Sequence, residues 1–285
     1  MARETGGAVG GEGPAARVSR VALALAVWVG LAALPSRARA QRQESRDECV
    51  TCHARQSGTS GPGHGFAAWR ASPHATAGVT CDACHGGNPT ATDTAAAHRG
   101  ILPSSDQGSS VFFTRIPNTC GRCHAAELAY FRTSLHYARL ETDGRGPNCV
   151  TCHGSMATKV LTPERLLGTC TACHVDHGVA APEKAREADR VLALVRAENI
   201  LYDVVATDAA ARRRARGGAR AAVLLGDAER HLHAAAEVWH SFRLDSAAAR
   251  LAEARLTIVE AWQALGHPAP RESMAGARRG ARKGP

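Results

Sequence analysis

Residues 149–154 read Cys149-Val-Thr-Cys152-His153-Gly154. The same C-x-x-C-H frame returns at Cys49-Val-Thr-Cys52-His53, Cys81-Asp-Ala-Cys84-His85, Cys120-Gly-Arg-Cys123-His124 and Cys170-Thr-Ala-Cys173-His174, and together the five copies use all 10 cysteines of the chain. C-x-x-C-H is the attachment frame of c-type haem. Two thiols spaced to reach both vinyl groups along one porphyrin edge form thioethers, and the adjoining imidazole turns onto the iron. Other uses of Cys pairs fit worse. A zinc ribbon carries no His behind each pair. A thioredoxin-type pair occurs once, within a βαβ pattern that this chain lacks. Disulfides closing such short loops five times over would staple nothing distant. The reading is five covalently bound haem c groups, with His53, His85, His124, His153 and His174 as proximal iron ligands.

Composition agrees with a cofactor-filled interior. The chain of 285 residues is 44% hydrophobic but only 4% aromatic, and aromatic side chains normally supply much of a core's contact area. Porphyrins would take that place. The fold class expected is mainly α: a loop-rich multihaem domain over residues 41–180, an α-helical hairpin or three-helix bundle over 181–268 packing on the haems, and a basic tail over 269–285.

Nine His remain for the sixth iron positions: His64, His74, His98, His136, His177, His231, His233, His240 and His267. Of 3 Met, Met1 opens the chain, Met274 lies in the tail and only Met156 is near a motif. Met/His ligation raises haem potentials, so a chain this poor in Met should carry low-potential bis-His haems. Two of the nine stand in an internal repeat: Trp69-Arg-Ala-Ser72-Pro-His74 aligns with Phe131-Arg-Thr-Ser134-Leu-His136, and each copy precedes a motif followed by Gly, at Gly86 and Gly154. Repetition within one chain points to one structural unit used twice. A short helical turn is expected to set each aromatic and its His, five residues apart, near one flank. His74 and His136 are therefore the first distal candidates, followed by His98 and then His240. His64 and His177 lie in loops near motifs. His231 and His233 stand among Glu229 and Arg230 on what reads as a polar helix face.

The N-terminus reads as an export signal. Arg17 and Arg20 precede an apolar run from Val21 to Leu34, then Pro35 and Ala38-Arg39-Ala40, the n-region, h-region and cleavage pattern of a secretory leader at residues 1–40. The run is too short to span a bilayer, since about fourteen residues reach about 21 Å against a hydrocarbon core near 30 Å. No later segment is apolar for long enough to cross a membrane. The expected location is the periplasm, where haem is attached. Loss of 1–40, with five Arg and two Glu, would leave +6 of the formal +9, and the propionates of five haems would turn the balance negative. Partners would then be recognised by local charged patches.

From Pro182 the sequence has no Cys and is rich in Ala, Leu, Arg and Glu. Pro182 suits a first helical turn and Glu183 and Glu187 complement its dipole. Val191, Leu194, Val195, Ile200, Leu201, Val204 and Val205 carry an approximate helical period to about Thr207. A basic turn follows over Arg212–Gly218. A second helix is expected over Ala219–Phe242, and a third from an Asp245 or Ser246 cap to about Leu265. The Gly/Arg-rich tail lacks the apolar content to order itself, and export argues against nucleic acid as its target.

The Ser-x-His ahead of C-x-x-C-H-G, together with Ile116-Pro-Asn-Thr-Cys120-Gly-Arg-Cys123-His124, resembles the periplasmic multihaem cytochromes c. These are related to hydroxylamine oxidoreductase and to the small cytochromes serving nitrite and nitrate reductases. The likeness spans roughly residues 45–180. It implies closely stacked haem pairs and electron transfer between redox proteins, among them a membrane quinol dehydrogenase or a terminal reductase. The Lys that replaces His at the catalytic haem of ammonia-forming nitrite reductases has no counterpart here, because no C-x-x-C-K occurs. An electron carrier is thus the first expectation. The competing classes are a small multihaem oxidoreductase, with one open iron acting on a nitrogen or sulfur oxyanion, and a haem-based sensor.

Overall fold

The computed structural model describes residues 47–55, 65–159, 161–176, 182–213 and 217–269. The expected leader, His64, His177 and the tail beyond residue 269 lie outside them. The described residues form helices and turns, with no strand among them. No helix among them is long and apolar enough to cross a membrane. The chain divides into two units, Met1–Gly100 and Ile101–Pro285.

The first unit contains α1 (Glu48–His53), α2 (Phe66–Arg70), α3 (Pro73–Thr76), α4 (Asp82–His85) and α5 (Thr94–Ala97). Helices this short do not hold themselves together, because nucleation costs more than one or two turns return. Side chains at their N-termini and a few tertiary contacts hold them. The Asp47 carboxylate accepts from the Val50 amide at 3.1 Å and the Asp93 carboxylate from the Ala96 amide at 2.9 Å, each satisfying an otherwise unpaired donor. The Glu48 amide donates to the Pro89 carbonyl at 2.8 Å, which joins α1 to the strand of chain leaving the second motif. Trp69 is buried, and its indole donates to the Val79 carbonyl at 3.0 Å.

The second unit holds α6 (Ile116–Cys120), α7 (Ala125–Phe131), α8 (Leu135–Asp143), α9 (Cys149–His153) and α10 (Pro163–Thr171). The last of these runs into a π-helical turn over Ala172–Asp176. Three long helices follow: α11 (Pro182–Ala211), α12 (Gly218–Trp239) and α13 (Leu244–Ala264). Their apolar stripes meet in two clusters. One joins Val205, Ala221, Leu225, Ala228, Ile258 and Ala261. The other joins Ala188, Val191, Ala235, Val238, Leu244 and Leu251, and packs Tyr130 and Cys170 against its edge. The helices past Pro182 therefore share a core with the last haem motif. Small residues at many of these positions let the helices approach closely, which explains how so few aromatics suffice. Arg255 of α13 reaches the buried Glu198 of α11 at 2.7 Å and fixes their register.

The joint between α12 and α13 departs from the sequence expectation. α12 stops at Trp239, not Phe242, and α13 is preceded by Arg243, with no side-chain cap from Asp245 or Ser246. The Ser241 hydroxyl donates to the Val238 carbonyl at 2.7 Å and accepts from the Arg243 amide at 3.2 Å. Phe242 then takes a φ of 57°. These bonds close a tight four-residue turn, His240 to Arg243, and Asp245 is left inside the first turn of α13, where its charge complements the helix dipole.

The far end of the bundle carries a charged latch. His267 stacks on Trp262 with centroids 3.7 Å apart and meets Asp208 at 2.8 Å, while Arg212 donates to Asp208 at 2.9 Å. The hydrogen bond from His267, and then Arg212, hold the Asp208 carboxyl below its ordinary range. A lowered folded-state value means that this carboxylate adds stability above its unfolded value, about 3.9. The contribution disappears as pH falls through the folded value. Asp208→Asn should thus lower the thermal midpoint at neutral pH and leave it unchanged once acid has protonated the native carboxyl. Melting curves across pH check this.

Candidate haem sites

The repeat around Ser72 and Ser134 is built differently from the single turn expected. Trp69 lies in α2 and Phe131 ends α7; each chain then breaks, and the Ser starts a new helix that carries the His. The Ser72 hydroxyl accepts from the Ala75 amide at 3.4 Å and the Ser134 hydroxyl from the Tyr137 amide at 3.1 Å. Both Ser are buried, at 2% and 5% exposure. The aromatic is core, and the Ser is the N-cap that aims the next helix with its His on the first turn. Ser134→Ala should lower holoprotein stability by about 1 kcal/mol, and Ser134→Gly by only a few tenths. Thermal unfolding of the two variants measures the difference.

Two of the motif helices, α1 and α9, are capped in the same manner, by Asp47 and Asn148. Asn148 accepts from the Val150 and Thr151 amides at 3.0 and 3.2 Å, and its own amide donates to the Phe113 carbonyl at 2.8 Å. Asn148 and Asp47 were not singled out by sequence reasoning. The signal that finds them is an Asp or Asn just before a helix start. Gly86 and Gly154, directly behind two motif His, have φ of 76° and 81°, a backbone that L side chains rarely adopt. This is why the Gly recurs in both copies of the repeat.

In three imidazole pairs among the described residues, one motif His faces one His from outside the motifs. His53 and His98 have ring centroids 6.1 Å apart with planes at 61°. His136 and His174 lie 5.9 Å apart at 59°. His153 and His240 lie 6.2 Å apart at 15°. Hydrogen bonds orient several of these rings. Nδ1 of His98 meets the Thr94 carbonyl at 2.8 Å, Nδ1 of His153 the Lys159 carbonyl at 3.1 Å, and Nδ1 of His240 the Ala236 carbonyl at 2.9 Å. A ring whose Nδ1–H donates to a carbonyl keeps its Nε2 lone pair for a metal. His136 and His174 differ, because the buried Nδ1 of each has no hydrogen-bond partner among the described residues. Burial, followed by the neighbouring His174, lowers the pKa of His136, and burial lowers that of His240, which favours the neutral, ligand-competent ring.

His74 is in the first turn of α3, His85 ends α4 and His124 precedes α7. His231 pairs with Glu253 and His233 with Glu237, both at 3.2 Å, so these two serve the charged faces of α12 and α13. His136 of the second repeat faces the fifth motif, not the fourth motif that follows it in sequence. Nothing in the spacing reveals that choice.

None of the ten Cys is joined to another in a disulfide. Burial, reinforced by Asp47, pushes the Cys49 thiol up to about 12, and burial pushes Cys81 and Cys152 up to about 11. Cys120 and Cys149 hydrogen-bond to each other, which raises Cys149 and lowers Cys120. Cys152 in turn senses Cys170 and Cys173, and Cys49 senses Cys81. Surroundings that disfavour a thiolate suit an uncharged thioether. Within each unit, consecutive attachment frames are also neighbours in space.

The residues fit haem c. An imidazole nitrogen sits about 2 Å from a bound transition-metal ion, so two rings ligating one ion from opposite sides have centroids about 6 Å apart. The three pairs have this spacing, and each includes a motif His. Residues 32–86 are similar to the family of cytochrome c554 and c-prime. The matched segment contains the first two C-x-x-C-H frames, and it supports covalent haem c, electron transfer and redox partners as the chemistry of this chain. No curated protein matches the chain, and no solved structure matches it.

Proposed function

We propose that the chain is a periplasmic electron carrier holding five haem c groups, low in potential and ligated by pairs of His. One observation carries the reading: every close His–His pair described above joins a motif His to a non-motif His at the separation an iron between them needs. Cys49/Cys52, Cys81/Cys84, Cys120/Cys123, Cys149/Cys152 and Cys170/Cys173 would hold the five porphyrins. His53 with His98, His153 with His240, and His174 with His136 would ligate three irons. His85 and His124 would be the proximal ligands of the other two, His74 the distal ligand of one of them, and His64 or His177 the remaining sixth ligand. Bound haem supplies a one-electron couple.

The protein's own part is positioning. The N-caps at Asp47, Ser72, Ser134 and Asn148 aim the ligand-bearing turns, the Nδ1 hydrogen bonds set the tautomer, and the neighbouring thiols bring attachment frames side by side. Contiguity of the third, fourth and fifth frames, and of the first and second, favours relay over chemistry at a single centre. The partners would be other redox proteins, among them a membrane quinol dehydrogenase or a terminal reductase. The test is haem stoichiometry with the resting spin-state spectrum of the exported holoprotein. Five haems, all low-spin, are expected. A high-spin haem in the wild-type protein would transfer the assignment to a small oxidoreductase acting on a nitrogen or sulfur oxyanion.

A further inference from the structure

We infer that Phe242 is a positioning residue that sets the orientation of the His136 imidazole, and that the four-residue turn carrying it ties two haem sites together. The inference rests on the reading of His136 and His240 as iron ligands. His240 closes α12 and faces His153. Two residues later, the Phe242 ring meets the His136 ring edge-on, with centroids 4.2 Å apart and planes at 89°. On its other side Phe242 approaches Phe131 at 6.4 Å, and Phe131 in turn meets Tyr137 at 5.5 Å. One short turn thus supplies a ligand to the fourth motif and a wall to the ligand of the fifth.

Two independent observations point to orientation as the task of this ring. His98, His153 and His240 each have a carbonyl at Nδ1 that fixes their rotation, whereas the buried Nδ1 of His136 has no partner among the described residues. Metal-bound His ordinarily has such a partner. For His136 an aromatic contact, with its preferred edge-to-face geometry, stands in that place. Secondly, Phe242 is the only non-glycine residue with positive φ among the described residues. Gly or Asn takes that backbone with less strain, so the side chain, not the turn, accounts for a Phe here.

The angle between two axial imidazole planes sets the orbital splitting of a low-spin ferric ion, and hence the anisotropy of its paramagnetic resonance signal. Phe242→Gly removes the ring and relieves the backbone, so it tests the contact without adding strain; Phe242→Leu keeps apolar bulk without a ring. In the ferric holoprotein both variants should shift one low-spin signal, the one that His136→Ala abolishes, and leave the others in place with five haems attached. Phe242→Tyr should retain the wild-type signal. An unchanged spectrum in Phe242→Gly, or a shift of all signals together, overturns the inference, since a merely structural residue would change the melting temperature and no single haem. A wild-type protein without bis-His low-spin signals defeats the underlying ligand assignment instead, and that result is read before any variant is made.

Discussion

Replacing His240 with alanine should leave covalent haem attachment intact and convert one haem from low-spin to high-spin. On the proposed assignment Cys149 and Cys152 would make the thioethers whatever occupies the distal side, so attachment should not depend on His240. Its ring lies 6.2 Å from His153, and its Nδ1 is engaged by the Ala236 carbonyl, which leaves Nε2 to the iron. No second imidazole on α12 takes over: His233 is held by Glu237 and His231 by Glu253. His240→Met should keep the haem low-spin and raise its potential, as thioether ligation does. His233→Ala and His231→Ala should leave the optical and resonance spectra unchanged. A fully low-spin His240→Ala protein would show that the fourth haem takes its ligand elsewhere. That one residue would also establish the C-terminal helices as part of the cytochrome, because their turn would then complete one of its irons.

The second large effect comes from withholding haem. Close to half of the helical residues lie in elements of nine residues or fewer, all before Pro182. Isolated helices shorter than about 12–15 residues are marginal in water. The caps described above contribute about 1 kcal/mol each, too little to order such turns alone. α11, α12 and α13 have their own clusters around Ile258 and Leu251. Protein exported without haem attachment should therefore lose close to half of its helical circular dichroism. Amide exchange should be fast before residue 180 and protected within α11–α13. A haem-free chain with full helicity would mean that the cofactors are cargo and not the interior of the fold.

Much of this was legible in the one-dimensional pattern. The C-x-x-C-H frames are local: thioether chemistry needs two thiols and an imidazole within one turn, so spacing alone reveals them. The helix at Pro182 and the hairpin after it were legible for the same reason, through apolar period and a proline in the first turn. The ends of the hairpin were not. α12 stops at Trp239 because Ser241 and Phe242 close a turn, and that depends on what the turn packs against. The repeat was visible as a repeat, but its physics was hidden. One short turn was expected to carry each aromatic and its His; instead Ser72 and Ser134 are N-caps that start a new helix, and Trp69 and Phe131 are buried core.

Sequence alone marked the attachment frames and the supply of imidazoles, because covalent motifs and residue counts need no knowledge of distance. Only the tertiary structure decided which imidazoles meet. His98 faces His53 across forty-five residues of chain, His136 passes over the nearest motif to face His174, and His240 comes from the far end of α12 to face His153. These meetings are set by helix caps, by the apolar clusters of α11–α13 and by one strained turn, and a contact between distant residues leaves no period or spacing along the chain.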